Sequence, residues 1–170
     1  MQIVRANEEM IPAIAEIYNH AVATTTALWS EEEVSVENRM SWFHERIAGD
    51  FPVFAAQLPD GTVVGYASYG PFRPFPGYRH TVENSVYVRE GFHGRGIGKA
   101  LMTALVEHAS ERGLWAMVAA IESTNETSIA LHQGVGFEVV AQMPAVGEKW
   151  GRPLDLTLMQ LNLPASPARS

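Results

Sequence analysis

The chain has 170 residues, 46% hydrophobic and 18% charged, which is enough apolar material for one folded core and too little charge for a disordered chain. Its 12 basic against 19 acidic residues give a net charge of −7, which argues against nucleic acid or an anionic membrane as a partner. The absence of cysteine excludes a disulfide framework, a zinc-thiolate site, an iron–sulfur cluster and a cysteine nucleophile; no metal site is expected, and a reducing cytoplasm suits the chain.

The first ten residues, MQIVRANEEM, are charged and lack an apolar run, so no signal peptide is expected. Gln2–Arg5 reads as a short strand. Ile11, Ile14, Ala15 and Tyr18 fall on one face of a helix over residues 8–20, with Pro12 in its first turn. A Thr/Trp loop from Thr24 to Ser30 precedes a second helix, Val36 to Ile47, with Val36, Met40, Phe43 and Ile47 on one side. Val53–Gln57 and Thr62–Tyr69 flank the turn Pro59-Asp60-Gly61 and read as a hairpin. After a Pro- and aromatic-rich loop, Pro71 to His80, residues 81–89 predict another strand. A Gly-rich run, 91–98, then leads into a helix ending near Arg112.

Trp115–Ile121 is almost continuously apolar and predicts a buried, parallel strand. Ser128–Val135 suits a short helix, and Val139–Met143 and Leu154–Leu163 two closing strands. The order β-α-α-β-β-β-α-β-α-β-β predicts a mixed α/β sheet. One domain is expected over residues 1–163, with a frayed tail over 164–170.

The run Gly91-Phe92-His93-Gly94-Arg95-Gly96-Ile97-Gly98-Lys99 joins a strand to a helix. Glycines there let backbone approach a ligand, and the first helical N–H groups are unsatisfied, which suits a phosphate or pyrophosphate. A P-loop is excluded because its first Gly and its Ser/Thr would fall on His93 and Ala100. The dinucleotide fingerprint fails because its third Gly falls on Lys99. A tight turn alone would also explain the glycines. Arg89, Arg95 and Lys99 favour the anion reading, since cations beside a helix N-terminus do not help that helix.

His93-x-x-Gly96-x-Gly98 resembles the Gln/Arg-x-x-Gly-x-Gly/Ala pattern of the GNAT superfamily of N-acetyltransferases. Asn125, Ser128, Leu131, Gly136 and Phe137 are similar to that superfamily's second signature, Asn-x-x-Ala/Ser-x-x-Leu-x-x-x-x-Gly-Phe. Nearly the whole chain, including GYASYGPFR, YRHTVENSVYV and AQMPAVGEKWGRPLDLTLMQL, resembles the phosphinothricin and methionine sulfoximine/sulfone N-acetyltransferases.

The resemblance implies a mixed, mostly antiparallel central sheet with helices on both faces, splayed at an acetyl-CoA site. It implies acetyl-CoA as co-substrate, a homodimer, and a small amine acceptor bearing a carboxylate. The cofactor would contact Val86, Tyr87, Val88 and Arg89, then the turn His93, Gly94, Arg95, Gly96, Ile97, Gly98, Lys99 and Ala100, and also Asn125 and Ser128. His132 stands where the family has a tyrosine that protonates the CoA thiolate; it could serve likewise or simply pack against the cofactor.

An amine attacks a thioester only when neutral, and an α-ammonium has a pKa of roughly 8. A nearby base therefore helps. Thr81, Glu83, Ser85 and Tyr87 share one strand face, and Glu83 is its only carboxylate. Relatives carry a Glu there as the proposed base, although a strand Glu is more commonly solvent-facing. An acceptor carboxylate calls for arginine, so Arg73 and Arg79 are candidates, with Pro74, Phe75 and Pro76 beside them and Asn84, Ser85 and Val86 lining the pocket. Trp29 and Trp150 either complete it or pack structurally, and Lys149 and Arg152 read as ordinary surface charges.

Two other readings remain: acetylation of a protein N-terminus, and a non-catalytic acyl-CoA sensor. From Arg73 to Lys99 the chain carries five basic and two acidic residues, a net +3, leaving −10 for the rest. A small polyanionic cofactor and an acidic acceptor would both sit in that positive stretch.

Overall fold

A computed structural model describes residues 1–168. Arg169 and Ser170, the end of the expected tail, lie outside the described residues. The elements follow the expected order: β1 (Gln2–Arg5), α1 (Ile11–Thr24), α2 (Val36–Ala48), β2 (Val53–Gln57), β3 (Val63–Pro71), β4 (Thr81–Val88), α3 (Ile97–Glu111), β5 (Ala116–Glu122), α4 (Glu126–Gln133), β6 (Glu138–Lys149) and β7 (Arg152–Asn162). The seven strands form one sheet, ordered β1-β2-β3-β4-β5-β7-β6.

The period of two sorts side chains onto the sheet's faces. Val53, Ala55, Val63 and Tyr66 pack under α1 and α2, against Ile11, Ile14, Ile17 and Phe43. Ala56, Val64, Ala67 and Val82 pack under α3, against Leu101, Met102 and Leu105. Ile129 and Leu131 of α4 lie against this second cluster. Helices therefore cover both faces.

Every strand pairing is antiparallel except β4 with β5. That parallel pairing is short: Thr81, Val82 and Glu83 match Ala116, Met117 and Val118, and the register ends there. β4 continues to Val88 against β3, while β5 continues to Glu122 against β7. The sheet opens at its centre directly after Glu83, as the resemblance implied.

Several boundaries differ from expectation. α4 begins at Glu126 because the Asn125 side chain accepts the Ser128 N–H and caps it. Trp115 precedes β5, is 39% exposed and stacks on His80 with ring centroids 4.1 Å apart. The α2 face is narrower than expected, for Phe43 is buried while Val36 and Ile47 are exposed. The Ser35 Oγ accepts the Asn38 N–H at 3.0 Å and caps α2. Ser35→Ala should lower stability by about 1 kcal/mol and Tm by roughly 2–4 °C, measured by urea and thermal unfolding.

Candidate active site

The opening between β4 and β5 is a cleft of about 880 Å³. Glu83, Asn84, Ser85, Val86, Tyr87 and Val88 line one side, and His93, Asn125, Ser128 and His132 face it. Beyond Glu83, β4 lacks a partner on the β5 side, so its backbone polar groups there are available to a bound molecule.

Beyond β4, in the turn from which His93 reaches the cleft, Gly91, Gly94 and Gly96 have φ of +82°, +75° and +77°. These left-handed values turn the chain sharply from β4 into α3, and glycine adopts them without strain. A Cβ built at any of the three meets no atom within 4 Å, so the turn borders open space. Gly96 supplies no side-chain cap, and Ala100 makes the first i−4 bond, to Gly96. The amides ahead of it, with the positive end of the α3 dipole, are placed to receive phosphate.

The flanking cations are not all there. Arg89 turns away, donating from Nε to the Val63 carbonyl at 2.9 Å and pairing with Glu16 at 3.2 Å. Arg95 folds back onto the Gly91 carbonyl and the Phe92 ring. Lys99 and Ala100 border a separate groove beside Ile3, Arg5 and Phe54. What the turn offers an anion is therefore backbone N–H more than side-chain charge.

Glu83 is half-buried on the cleft wall. Burial raises its carboxyl pKa above the usual value, while Arg46 and Arg73 pull it down. A carboxylate so raised is a stronger base than a solvated one.

His132 is almost fully buried, and both its nitrogens are engaged. Its Nδ1 lies 2.7 Å from the Ser128 carbonyl, which only accepts, so the proton resides on Nδ1. Its Nε2, at 3.0 Å, then accepts from the Asn84 amide. Burial also lowers its pKa, favouring the neutral ring. So placed, His132 ties Asn84 of β4 to α4 through its two ring nitrogens.

The loop expected to bind the acceptor meets the cleft at Pro71, and the Arg73 charge acts on Glu83 from the rim. Arg73, Pro74, Phe75, Pro76 and Arg79 are exposed, and Arg79 bonds the Pro76 carbonyl within the loop. None of the five lines the cleft. Trp29 packs its ring over Gly147, 2.0 Å from where a Cβ would stand, and donates from Nε1 to the Thr26 carbonyl. Trp150 and Arg152 do line the cleft.

Four residues at or beside the cleft carry no signal in the sequence strong enough to single them out. Arg46 and Gly70 line the cleft near Glu83. Glu122 is buried, accepting from the Thr26 hydroxyl at 3.0 Å and the Thr124 N–H at 3.1 Å. Lys149, expected as a surface charge, is 1% exposed. Its Nζ donates to the carbonyls of Val22, Thr25 and Leu28 at 2.7, 2.6 and 2.6 Å. Together Lys149 and Glu122 hold the wall formed by the end of α1 and the following loop. Lys149→Met would take the Nζ donor from one buried and two part-buried carbonyls, so stability should fall by about 2 kcal/mol and the KM for substrates should rise, checked by urea unfolding and steady-state kinetics.

A split sheet with a half-buried carboxylate on its cleft and a glycine-built turn leading into a helix suits a group-transfer enzyme working on a phosphate-bearing donor. The chain belongs to the acetyltransferase (GNAT) family, whose pattern it matches over residues 14–137. It is similar to an L-methionine sulfoximine/L-methionine sulfone acetyltransferase of Pseudomonas paraeruginosa, 54% identical over 94% of this chain and 92% of the relative. A Salmonella typhimurium structure with its cofactor acetyl-CoA superposes with a TM-score of 0.96, at 46% identity, covering 100% of this chain and 98% of that one. A GNAT superfamily phosphinothricin acetyltransferase from Sinorhizobium meliloti, in complex with acetyl-CoA, gives 0.95 at 34% identity, covering 99% and 91%. The protein is an acetyl-CoA-using acetyltransferase.

Proposed function

We propose that the chain moves acetyl from acetyl-CoA to the α-amino group of a small amino-acid-like acceptor, such as methionine sulfoximine, methionine sulfone or phosphinothricin. The observation that carries this reading is the parting of β4 from β5 immediately after Glu83, which puts one carboxylate at the mouth of the unpaired strand. The names of the similar proteins supply the acceptor class.

Acetyl-CoA, when bound, supplies the activated acetyl group. The open, glycine-built turn suits its pyrophosphate, held by the first amides of α3. Glu83 takes the proton from the acceptor's ammonium, directly or through a water, and so provides the neutral amine. A β4 backbone N–H within Val86–Val88 stabilises charge developing on the thioester carbonyl oxygen. His132 and Asn84 keep β4 and α4 at the right spacing.

The same reading includes a homodimer in the cytoplasm. Val139, Val140, Met143 and Val146 of the edge strand β6, and the adjacent Trp150, are each at least 40% exposed, an apolar stripe that a second copy would cover. No helix among the described residues is long and apolar enough to cross a membrane.

An acceptor panel tests the activity, with CoA release followed on methionine sulfone, methionine sulfoximine, phosphinothricin and a peptide with a free N-terminus. The amino-acid acceptors should exceed the peptide in kcat/KM by at least about 100-fold, two hydrogen-bonded contacts' worth. Preference for the peptide, or CoA binding without turnover, would overturn the reading.

A further inference from the structure

We propose that Arg46, in the last turn of α2, binds the acceptor's α-carboxylate. This rests on the acceptor class proposed above. The Arg46 guanidinium lies over β3 in a notch that only glycine leaves. A Cβ on Gly70 would stand 2.0 Å from its Nη1, 2.5 Å from its Cζ and 2.8 Å from its Nη2. Gly70 is the register partner of Glu83, so the notch and the Glu83 side chain share one face of the sheet. Arg46, Gly70 and Glu83 all line the cleft.

The guanidinium lacks partners of its own. Its Nε is buried with no hydrogen-bond partner, and among the described residues Arg46 joins no ion pair within 4.0 Å. It stands against Gly70, with the Trp42 ring 5.8 Å from its Cζ and the charges of Arg39, Glu45 and Glu83 acting on it. A guanidinium offers five donors in a rigid fork, and leaving the buried Nε unpaired is unfavourable. A carboxylate entering the cleft satisfies two of them at once, with bidentate geometry.

Position decides which anion this is. The cradle for the pyrophosphate lies beyond Val88, some five residues along β4 from Glu83, or about 17 Å at strand spacing. Arg46 stands at the Glu83 end. The amine and carboxylate of an α-amino acid share one carbon, so an amine beside Glu83 puts its carboxylate within reach of a group next to Glu83. Arg46 meets that condition from inside the cleft; Arg73, whose charge also acts on Glu83, is exposed on the loop with Arg79 and does not line the cleft.

The experiment measures kcat/KM for methionine sulfone and for its carboxamide. It compares the wild-type chain with Arg46→Gln, Arg46→Lys, Gly70→Ala and Arg73→Gln, alongside the acetyl-CoA Kd by calorimetry. The wild type should prefer the acid by about 100-fold. Arg46→Gln should cut that preference to within about 10-fold, chiefly through KM for the acid, with the acetyl-CoA Kd within about twofold of wild type. Arg46→Lys should recover part of it. Gly70→Ala, which pushes the guanidinium from its notch while leaving Arg46 in the chain, should reproduce the loss and decides the matter if Arg46→Gln folds poorly.

Retention of the preference in Arg46→Gln and Gly70→Ala, or its loss in Arg73→Gln instead, overturns the assignment while leaving the acceptor class standing. A wild-type chain that acetylates neither compound overturns the acceptor class and this assignment with it.

Discussion

Glu83→Gln should lower kcat/KM for the amino-acid acceptor by about 10²–10³-fold at pH 7, within the range that general-base catalysis supplies. The loss should fall mainly on kcat, because glutamine keeps the size and polarity of the side chain and loses only the ability to take a proton. The pH profile separates this from a packing effect. In the wild type the rate rises with pH as Glu83 ionises, and burial moves that rise above the usual carboxylate range. Glu83→Gln should erase that limb and leave only the rise due to the acceptor amine, whose pKa is roughly 8.

Stability moves the other way. A carboxyl whose folded pKa is raised is held more tightly protonated in the folded state. Its ionisation therefore lowers stability as pH passes from the unfolded to the folded pKa, and the penalty persists above it. Removing the charge should leave Glu83→Gln no less stable than wild type at pH 8, measured by urea unfolding. Full activity in the variant across pH 6–9 would remove Glu83 from the mechanism.

Gly96→Ala should weaken acetyl-CoA binding by about 10–100-fold. Gly96 sits at φ +77° directly ahead of α3. A residue with a Cβ is strained there by about 1–2 kcal/mol, and the turn relaxes by moving the amides of Ile97 and Gly98. Misdirecting one or two hydrogen bonds to a charged phosphate, at roughly 1.5 kcal/mol each, gives the stated range. Calorimetric titration with CoA reads the effect. The unfolding free energy should fall by only about 1–2 kcal/mol, since a Cβ at this position meets no neighbour within 4 Å. An unchanged Kd would mean that the turn is structural only.

These two positions differ from Arg46 in how visibly they stand in the chain. The glycine turn is local: three glycines with positive φ fall within six residues, between a strand and a helix. Glu83 is nearly as local, the single carboxylate on its strand face. Arg46 stands over Gly70, 24 residues away on β3, and as a cation in the last turn of α2 it reads equally as favourable to the helix dipole. Lys149 bonds carbonyls more than 120 residues upstream, and nothing around it in sequence separates it from a solvated charge.

The strands show the same division. β4 and β5 are legible because apolar alternation or continuity marks them. β6 reads as ending near Met143 because Pro144 and Gly147 follow, yet it runs to Lys149. An edge strand tolerates such breakers, and β6 absorbs them in irregularities between Val139 and Ala141 and between Met143 and Gly147. Its return turn places Trp150, at φ +52°, on the cleft wall.

The central claim is transfer of acetyl from acetyl-CoA to an α-amino group. Incubation of the purified chain with acetyl-CoA and methionine sulfone, followed by mass spectrometry of the small molecules and thiol titration of the same sample, tests it most directly. N-acetyl-methionine sulfone is expected in an amount equal to the CoA released, with both reduced by about 10²-fold or more in Glu83→Gln. Release of CoA without acetylated amino acid, or an acetyl group found only on the protein, would contradict it.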